Sequence, residues 1–274
     1  MAVSRTRLAR FAGLFVLFYI ISAPNADIGR GYSSALSKPA ALAQASSLTI
    51  MTFNMRHGQG MDDKVELSRI ADLIRESRAD VIALQEVDRF RLRSGFVDQA
   101  EELAKMLGMD MRFAPSLTYT VGQYGNAILS RYPILDSSWT LLPGSKERRS
   151  LLTATVKIGS EEVHVATTHL GLSQEDRKLQ LSRIADVLTS TEGSLVVAGD
   201  FNMEEDAFPL KMNRINIMSV PLGQTEHGTF ADGATIDYIF TNLPNAGSAW
   251  TIRTNVSDHD PVIARVELGS AARV

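Results

Sequence analysis

The sequence predicts a four-layer α/β sandwich, with two mixed β-sheets packed face to face and helices outside. Roughly ten short runs of apolar or alternating residues read as strands, against three segments with good helical spacing. Strand-rich hairpins alternate with single helices along the chain. The 274 residues, 45% of them hydrophobic, show no internal repeat, no long low-complexity segment and no interior boundary. That suits one sizeable domain with its own core.

The elements follow in chain order. Residues 48–55 read as a buried strand ending at Asn54, and 56–64 as a loop holding Gly58 and Gly60. Val65, Leu67, Ile70, Ala71, Leu73 and Ile74 recur at helical spacing over 65–77. A short buried strand over 80–84 then ends at Gln85-Glu86. Residues 98–107 read as a second helix stopped by Gly108. Strands are expected over 111–114, 126–130 and 134–142, and a hairpin over 151–158 and 162–168 around Gly159-Ser160. In its second strand Val163, Val165 and Thr167 share one side, and His169 falls just beyond. Residues 173–190 read as a strong amphipathic helix, with Ser173 as N-cap and Glu175 and Asp176 in the first turn. A buried strand over 195–198 leads into Gly199-Asp200-Phe201-Asn202. A weaker helix over 208–215 precedes strands over 236–241, 249–254 and 262–268.

The first 48 residues differ from the rest. Arg5, Arg7 and Arg10 precede an apolar run from Phe11 to Ser22, which Pro24, Asn25 and Asp27 end. The run is shorter than the roughly 20 residues that cross a bilayer comfortably. Ala43-Gln44-Ala45 offers a small-x-small cleavage site. Residues 1–47 are therefore expected to be an export signal or a membrane anchor plus flexible linker. The domain is expected over 48–268, with a tail over 269–274. The chain is then exported, periplasmic or secreted, or anchored facing outward, with membrane association through residues 1–26. A monomer is expected.

Cysteine is absent, which excludes disulfides, thiolate metal sites and cysteine nucleophiles. Of the 28 basic and 31 acidic residues, five and one lie in the first 48, so 23 and 30 lie beyond, a net charge of −7. That balance disfavours a polyanionic nucleic-acid partner.

Polar clusters sit where apolar runs end. Asn54, Glu86, Asp200, Asn202 and Asp258 are hard oxygen donors of the type that holds Mg²⁺ or Mn²⁺. Parallel strands ending at one edge would bring the first three together. Ser257-Asp258-His259-Asp260-Pro261 lies on a loop between two strands, and its histidine between aspartates suits proton transfer. Zinc is disfavoured, because neither cysteine nor a close histidine pair is present. A serine hydrolase is disfavoured, because no Gly-x-Ser-x-Gly elbow appears.

Seven ordered motifs carry a resemblance. They are Thr52-Phe53-Asn54, Leu84-Gln85-Glu86, the run from Gly125 to Arg131, Thr168-His169-Leu170, Gly199-Asp200-Phe201-Asn202, Ile236-Asp237-Tyr238 and Ser257-Asp258-His259-Asp260-Pro261. Together they resemble the endonuclease/exonuclease/phosphatase superfamily of metal-dependent phosphohydrolases. The resemblance implies a divalent-metal-dependent phosphodiester hydrolase using in-line attack by water, with Mg²⁺, or Mn²⁺, as cofactor. It implies Asn54, Glu86 and Asp258 as metal ligands. It implies His259, oriented by Asp237, beside the scissile phosphate, and His169 in contact with it. Asp200 and Asn202 then position the water. His259 is expected as general base, with Asp200 the competing choice. Substrate contacts are expected at Asn126, Arg149 and His57, although His57 could equally be solvated.

The substrate is less defined. Arg148-Arg149 and Arg89-Arg91-Arg93 are the tight basic clusters, each a phosphate reader or a solvated face. The pattern Gly58-x-Gly60-Met61-Asp62 with Tyr124-Gly125-Asn126 resembles a bacterial branch similar to the phosphodiesterase-like domains of glycolipid-anchor remodelling proteins. A lipid-linked or small phosphodiester is expected. An exported nonspecific endonuclease is the alternative, and a noncatalytic binding module on the same fold a third reading.

Overall fold

The computed structural model describes residues 47–204, 215–223, 227–243 and 246–268. The N-terminal segment with its cleavage site, the tail beyond 268 and nearly all of the weak helix expected over 208–215 lie outside the described residues.

Two six-stranded sheets form the described fold. The first contains β1 (Ser47–Asn54), β2 (Val81–Arg89), β3 (Asp110–Thr118), β4 (Gln123–Ser130), β11 (Trp250–Thr251) and β12 (Val262–Glu267). Their order across the sheet is β11-β12-β1-β2-β4-β3. The second contains β5 (Ile134–Leu142), β6 (Arg149–Ile158), β7 (Glu161–His169), β8 (Ser194–Asp200), β9 (Met218–Ser219) and β10 (Asp237–Thr241), in the order β5-β6-β7-β8-β10-β9. Within each sheet one central pair is parallel, β1 with β2 and β7 with β8. Among the described residues three α-helices accompany the sheets: α1 (Leu67–Ser77), α2 (Gln99–Leu107) and α3 (Gln174–Leu188).

Three apolar clusters separate four layers, as the strand count predicts. Ile70, Ile74 and Leu103 of α1 and α2 cover Met51, Phe53 and Ile82 on the outer face of the first sheet. Leu48, Ile50 and Val81 meet Val163, Val165 and Val196 between the sheets. Leu181, Ile184 and Leu188 of α3 cover Leu195 and Val197 on the second sheet. Each such buried side chain contributes about 1.5–3 kcal/mol.

The strands' inner faces position the site. Side chains alternate with period two, so residues i and i+2 share a face. Along β1 the inward series runs Leu48, Ile50, Thr52, Asn54; along β7 it runs Val163, Val165, Thr167, His169; along β8 it runs Val196, Ala198, Asp200. Each series begins apolar and ends polar, and the ends lie at one edge. Gln85 Nε2 donates to Thr52 Oγ1 at 3.1 Å and to Thr167 Oγ1 at 3.0 Å, which ties the sheets together just below that edge.

Local chemistry sets the ends of the helices. Asp98 accepts from Glu101 N to start α2, and Gly108, at φ +64, stops it. Ser173 accepts from Asp176 N to start α3. Helix α1 begins two residues later than expected, because Val65 forms a bridge with Gln59.

Strand β2 does not stop at Leu84. It continues to Arg89 through a bulge that shifts the register between Leu84 and Val87, with Glu86 at φ +59 inside it. Strand β11 is shorter than the expected 249–254, since Thr254 N donates to Asp260 Oδ1 at 2.9 Å rather than to a ladder. Strand β9, two residues long, was not foreseen; no periodicity can mark so short a run.

Candidate active site

Register builds one row of the site. In the second sheet His169 stands opposite Asp200 on one side, and Asp237 opposite Asp200 on the other. Glycine is required next to this row: a Cβ on Gly199 would fall onto the Thr168 carbonyl of the adjacent strand. Across the cleft the first sheet supplies Asn54 at the end of β1 and Glu86 from the bulge. A bulge re-aims side chains out of the regular alternation. Left-handed backbone at Arg56, His57, Glu86 and Asn202 gathers strain at this edge.

The loop carrying His259 closes the third side. Ser257 Oγ donates to Asn54 O at 2.7 Å and accepts from His259 N at 3.2 Å. The His259 ring lies 4.8 Å from that of Phe230. Its Nδ1 is 2.9 Å from Asp237 Oδ2, which leaves Nε2 turned toward Asn54 Nδ2 at 3.4 Å and Asp200 Oδ2 at 3.8 Å. Thr229, fully buried, holds the dyad. Its hydroxyl donates to Asp237 Oδ2 at 2.7 Å and accepts from Ile236 N and Asp237 N at 3.0 and 3.2 Å. Sequence reasoning missed Thr229, which lies eight residues before Asp237 and belongs to no motif.

Asp200 sits at the centre. Its Oδ1 accepts from Asn202 N at 3.0 Å; its Oδ2 accepts from Asn54 Nδ2 at 3.0 Å and lies 3.3 Å from His169 Nε2. Asn202 Nδ2 donates to Leu170 O at 2.8 Å, so that amide is anchored to the turn after β7. Asn54 Nδ2 also donates to Glu86 Oε1 at 3.3 Å, while its Oδ1 accepts from Arg56 N at 3.1 Å. Asp258 pairs with Arg56 Nε at 3.4 Å.

Burial pushes the Asp200 carboxyl up to about 7, with the nearby Asp237 charge acting in the same direction. For His259 burial opposes the charged form, but Asp237, Asp200 and Asp258 outweigh it and raise the imidazole to about 9. Burial holds His169 well below the usual histidine range, reinforced by the charges of Arg149 and His259. Glu86 is raised by burial and by Asp258, against the Asn54 hydrogen bond.

The donor set fits a hard divalent cation. Two acidic groups, Glu86 and Asp258, repel each other at a largely buried position, and Glu86 accepts only from an amide. A bound cation relieves that repulsion and favours the charged form of Glu86. Asp200, Asp237 and His259 also lie within 4.8 Å of one another, close enough to share an ion. The Asp237–His259 hydrogen bond already occupies both facing atoms, which favours the Glu86 side.

The expected substrate contacts divide. Arg149 is 4% exposed, pairs with Glu147 at 3.2 Å and leaves its buried Nε without a partner. Its charge reaches both Glu86 and His169, on the two sides of the cleft. Asn126 is buried and donates through Nδ2 to Ser150 O at 3.0 Å. His57 is part-buried, with its Nδ1 unpartnered and its pKa lowered by burial and by Arg93. Within the arginine cluster, Arg89 pairs with Asp98, Arg93 makes two hydrogen bonds to Asp88, and Arg91 lies over Tyr119.

Two facing mixed sheets with a histidine–carboxylate dyad and an acidic pair meeting at one edge are the architecture of a phosphohydrolase. Residues 51–259 match the model of the endonuclease/exonuclease/phosphatase family, and the chain belongs to that family, whose members are hydrolases that generally depend on divalent metals. It is 28% identical over 256 residues to the Escherichia coli protein YbhP, an alignment covering 82% of this chain and 98% of YbhP. It is 34% identical over 145 residues to the protein cwh43 of Schizosaccharomyces pombe, covering 51% of this chain and 15% of that one. Among solved structures, an endonuclease/exonuclease/phosphatase from Beutenbergia cavernae superposes with a TM-score of 0.68 at 26% identity, covering 84% of this chain and 73% of the other.

Proposed function

We propose that this chain is a Mg²⁺- or Mn²⁺-dependent phosphodiesterase that acts outside the cytoplasm on a lipid-linked or small phosphodiester. The observation that carries the reading is the His259–Asp237–Thr229 relay. It fixes the imidazole and turns Nε2 toward the point where Asp200, Asn54 and Glu86 converge.

Glu86 and Asp258 would hold the cation, with Asn54 beside them. When bound, it supplies Lewis-acid charge at the phosphoryl oxygens. His259, held charged to about 9, enters the neutral reaction as imidazolium and donates from Nε2 to a phosphoryl oxygen. An imidazolium accepts no proton, which supports Asp200, the competing choice, as the base. At about 7, its carboxylate is poised to take a proton from water. Asn202 steadies Asp200 through its backbone N–H, and His169 Nε2 lies 3.3 Å away on the far side. Arg149 supplies a buried positive charge that reaches both Glu86 and His169, and so favours a substrate phosphate in the cleft between them. The basic and apolar N-terminal segment supports action outside the cytoplasm, and the acidic domain supports a substrate other than nucleic acid.

Purified protein with Mg²⁺ is assayed on bis-p-nitrophenyl phosphate, phospholipid vesicles and supercoiled plasmid, with EDTA and His259→Ala controls. The expected outcome is release from the phosphodiesters, lost in both controls. Nicking of plasmid alone, weakening steeply with salt, would favour the nuclease instead. Activity surviving the double change Glu86→Ala and His259→Ala would overturn the mechanism.

A further inference from the structure

Apolar side chains stand out at the edge where the site opens. Leu92 is 88% exposed, Phe96 55% and Val121 54%, with Phe90 and Tyr119 also exposed. They occupy two neighbouring loops. One leaves β2 at Arg89, three residues beyond the Glu86 bulge, and the other is the turn that leads into β4. Arg91 joins them: its guanidinium lies 3.5 Å from the Tyr119 ring centroid and its Nη1 donates to Val121 O at 3.2 Å. Arg93 links this face to the site, bonding Asp88 while sensing the Glu86 charge. Leu172, 76% exposed, follows His169 by three residues on the same edge.

Exposed apolar residues contiguous in this way mark an interaction surface. Charge indicates the partner. Arg89, Arg91 and Arg93 fall within five residues; Asp98 and Asp88 pair with Arg89 and Arg93, which leaves the Arg91 charge for an anionic partner. Among the described residues no carboxylate pairs with Arg91. The most exposed side chains, Leu92 and Leu172, are aliphatic. They suit hydrocarbon, whereas single-stranded nucleic acid calls for free aromatic faces to stack on; here Arg91 covers the Tyr119 ring, and the Phe90 and Phe96 rings pack on each other with centroids 6.0 Å apart. Aliphatic tips beside Arg91 match the interfacial zone of a membrane, where the tips enter the acyl boundary and a guanidinium meets phosphates.

We propose that this face docks the domain on an anionic phospholipid bilayer, so that a membrane phosphodiester enters the site directly from the surface. The substrate clause rests on the phosphodiesterase reading above; the docking clause does not.

The chain has no cysteine, so one label can be placed at will. The full chain carrying Leu92→Cys receives an environment-sensitive nitrobenzoxadiazole label. Ser190→Cys, exposed ahead of the opposite end of β8, carries the control label. Circular dichroism melts confirm that both variants fold. Each is mixed with phosphatidylcholine vesicles with and without phosphatidylglycerol. The expected result is a several-fold, blue-shifted emission rise at position 92 with anionic vesicles and none at position 190. No response at position 92 overturns docking by this face, whether or not the chain sediments with the vesicles through another segment. A response to a single-stranded oligonucleotide in place of vesicles also overturns it and reassigns the face to nucleic acid. Bis-p-nitrophenyl phosphate hydrolysis by the unlabelled chain is measured in parallel. Its absence, with insertion intact, would sink the phosphodiesterase reading and leave docking standing.

Discussion

Thr229 shows how much one unremarked side chain can hold. Its hydroxyl makes three hydrogen bonds in a fully buried setting, and Thr229→Val strands two backbone N–H groups and removes a donor from Asp237. The expected loss is about 1–3 kcal/mol in urea unfolding, with a lower kcat at little changed KM, and Thr229→Ser restores both. A valine variant as stable and active as the wild type would remove Thr229 from the relay. The titrating residues give a second prediction, for the protein in EDTA. His259 rises from 6.5 to about 9 on folding, so its contribution is complete below 6.5 and is lost as pH climbs through 9. Asp200 rises from 3.8 to about 7, so its contribution is complete below 3.8 and is lost as pH climbs through 7. Both slopes have the same sign: urea midpoints should fall between pH 6 and pH 9.5, and less so in Asp200→Asn. A flat profile would contradict the assigned charges. Asp200, Asp237 and His259 stood out in the sequence because each belongs to a motif. Thr229 did not, because its role depends on a fold-back that brings its hydroxyl against the start of β10.

Among the elements, β2 teaches the most. Gln85-Glu86 looks like the end of a strand, because two polar residues follow a buried run. In three dimensions Gln85 is fully buried and bonded across to the other sheet, Glu86 turns out through a left-handed bulge, and pairing resumes at Val87. Local sequence carries no mark of a bulge that a facing sheet stabilises. The parallel pair β7 and β8 makes the complementary point. It carries His169 and Asp200 side by side, with Gly199 lying against Thr168 O. Gly199→Ala must push the two strands apart, so it should cost at least about 3 kcal/mol and reduce activity, read by thermal melts and by phosphodiester turnover. An alanine variant with wild-type melting would show that the ladder yields there. The helices were legible nearly to the residue at α2 and α3. Their caps, Asp98, Gly108 and Ser173, are local chemistry that needs no partner element.

For the molecule as a whole, the site is where two inner faces turn from apolar to polar, which leaves buried acidic groups close together. Cation binding should therefore stabilise the fold. Mg²⁺ should raise the melting temperature with a saturable dependence that EDTA reverses. Glu86→Gln should melt at least as high as the wild type without metal and respond far less to it. An unchanged response in that variant would place the cation away from Glu86. The sequence by itself determined the four layers, because periods of two and 3.6 report burial without reference to any partner. It also determined which side chains are chemical, because carboxylates, amides and histidines gather where apolar runs stop. The tertiary structure alone decided their roles. A pKa depends on depth and on charges brought in from other strands, and His259 draws its charge from Asp237, 22 residues earlier, and from Asp200, on another strand. That Leu92, Val121 and Leu172 stand out as exposed apolar tips was likewise not legible along the chain, since exposure is a property of the packed molecule and not of the residue.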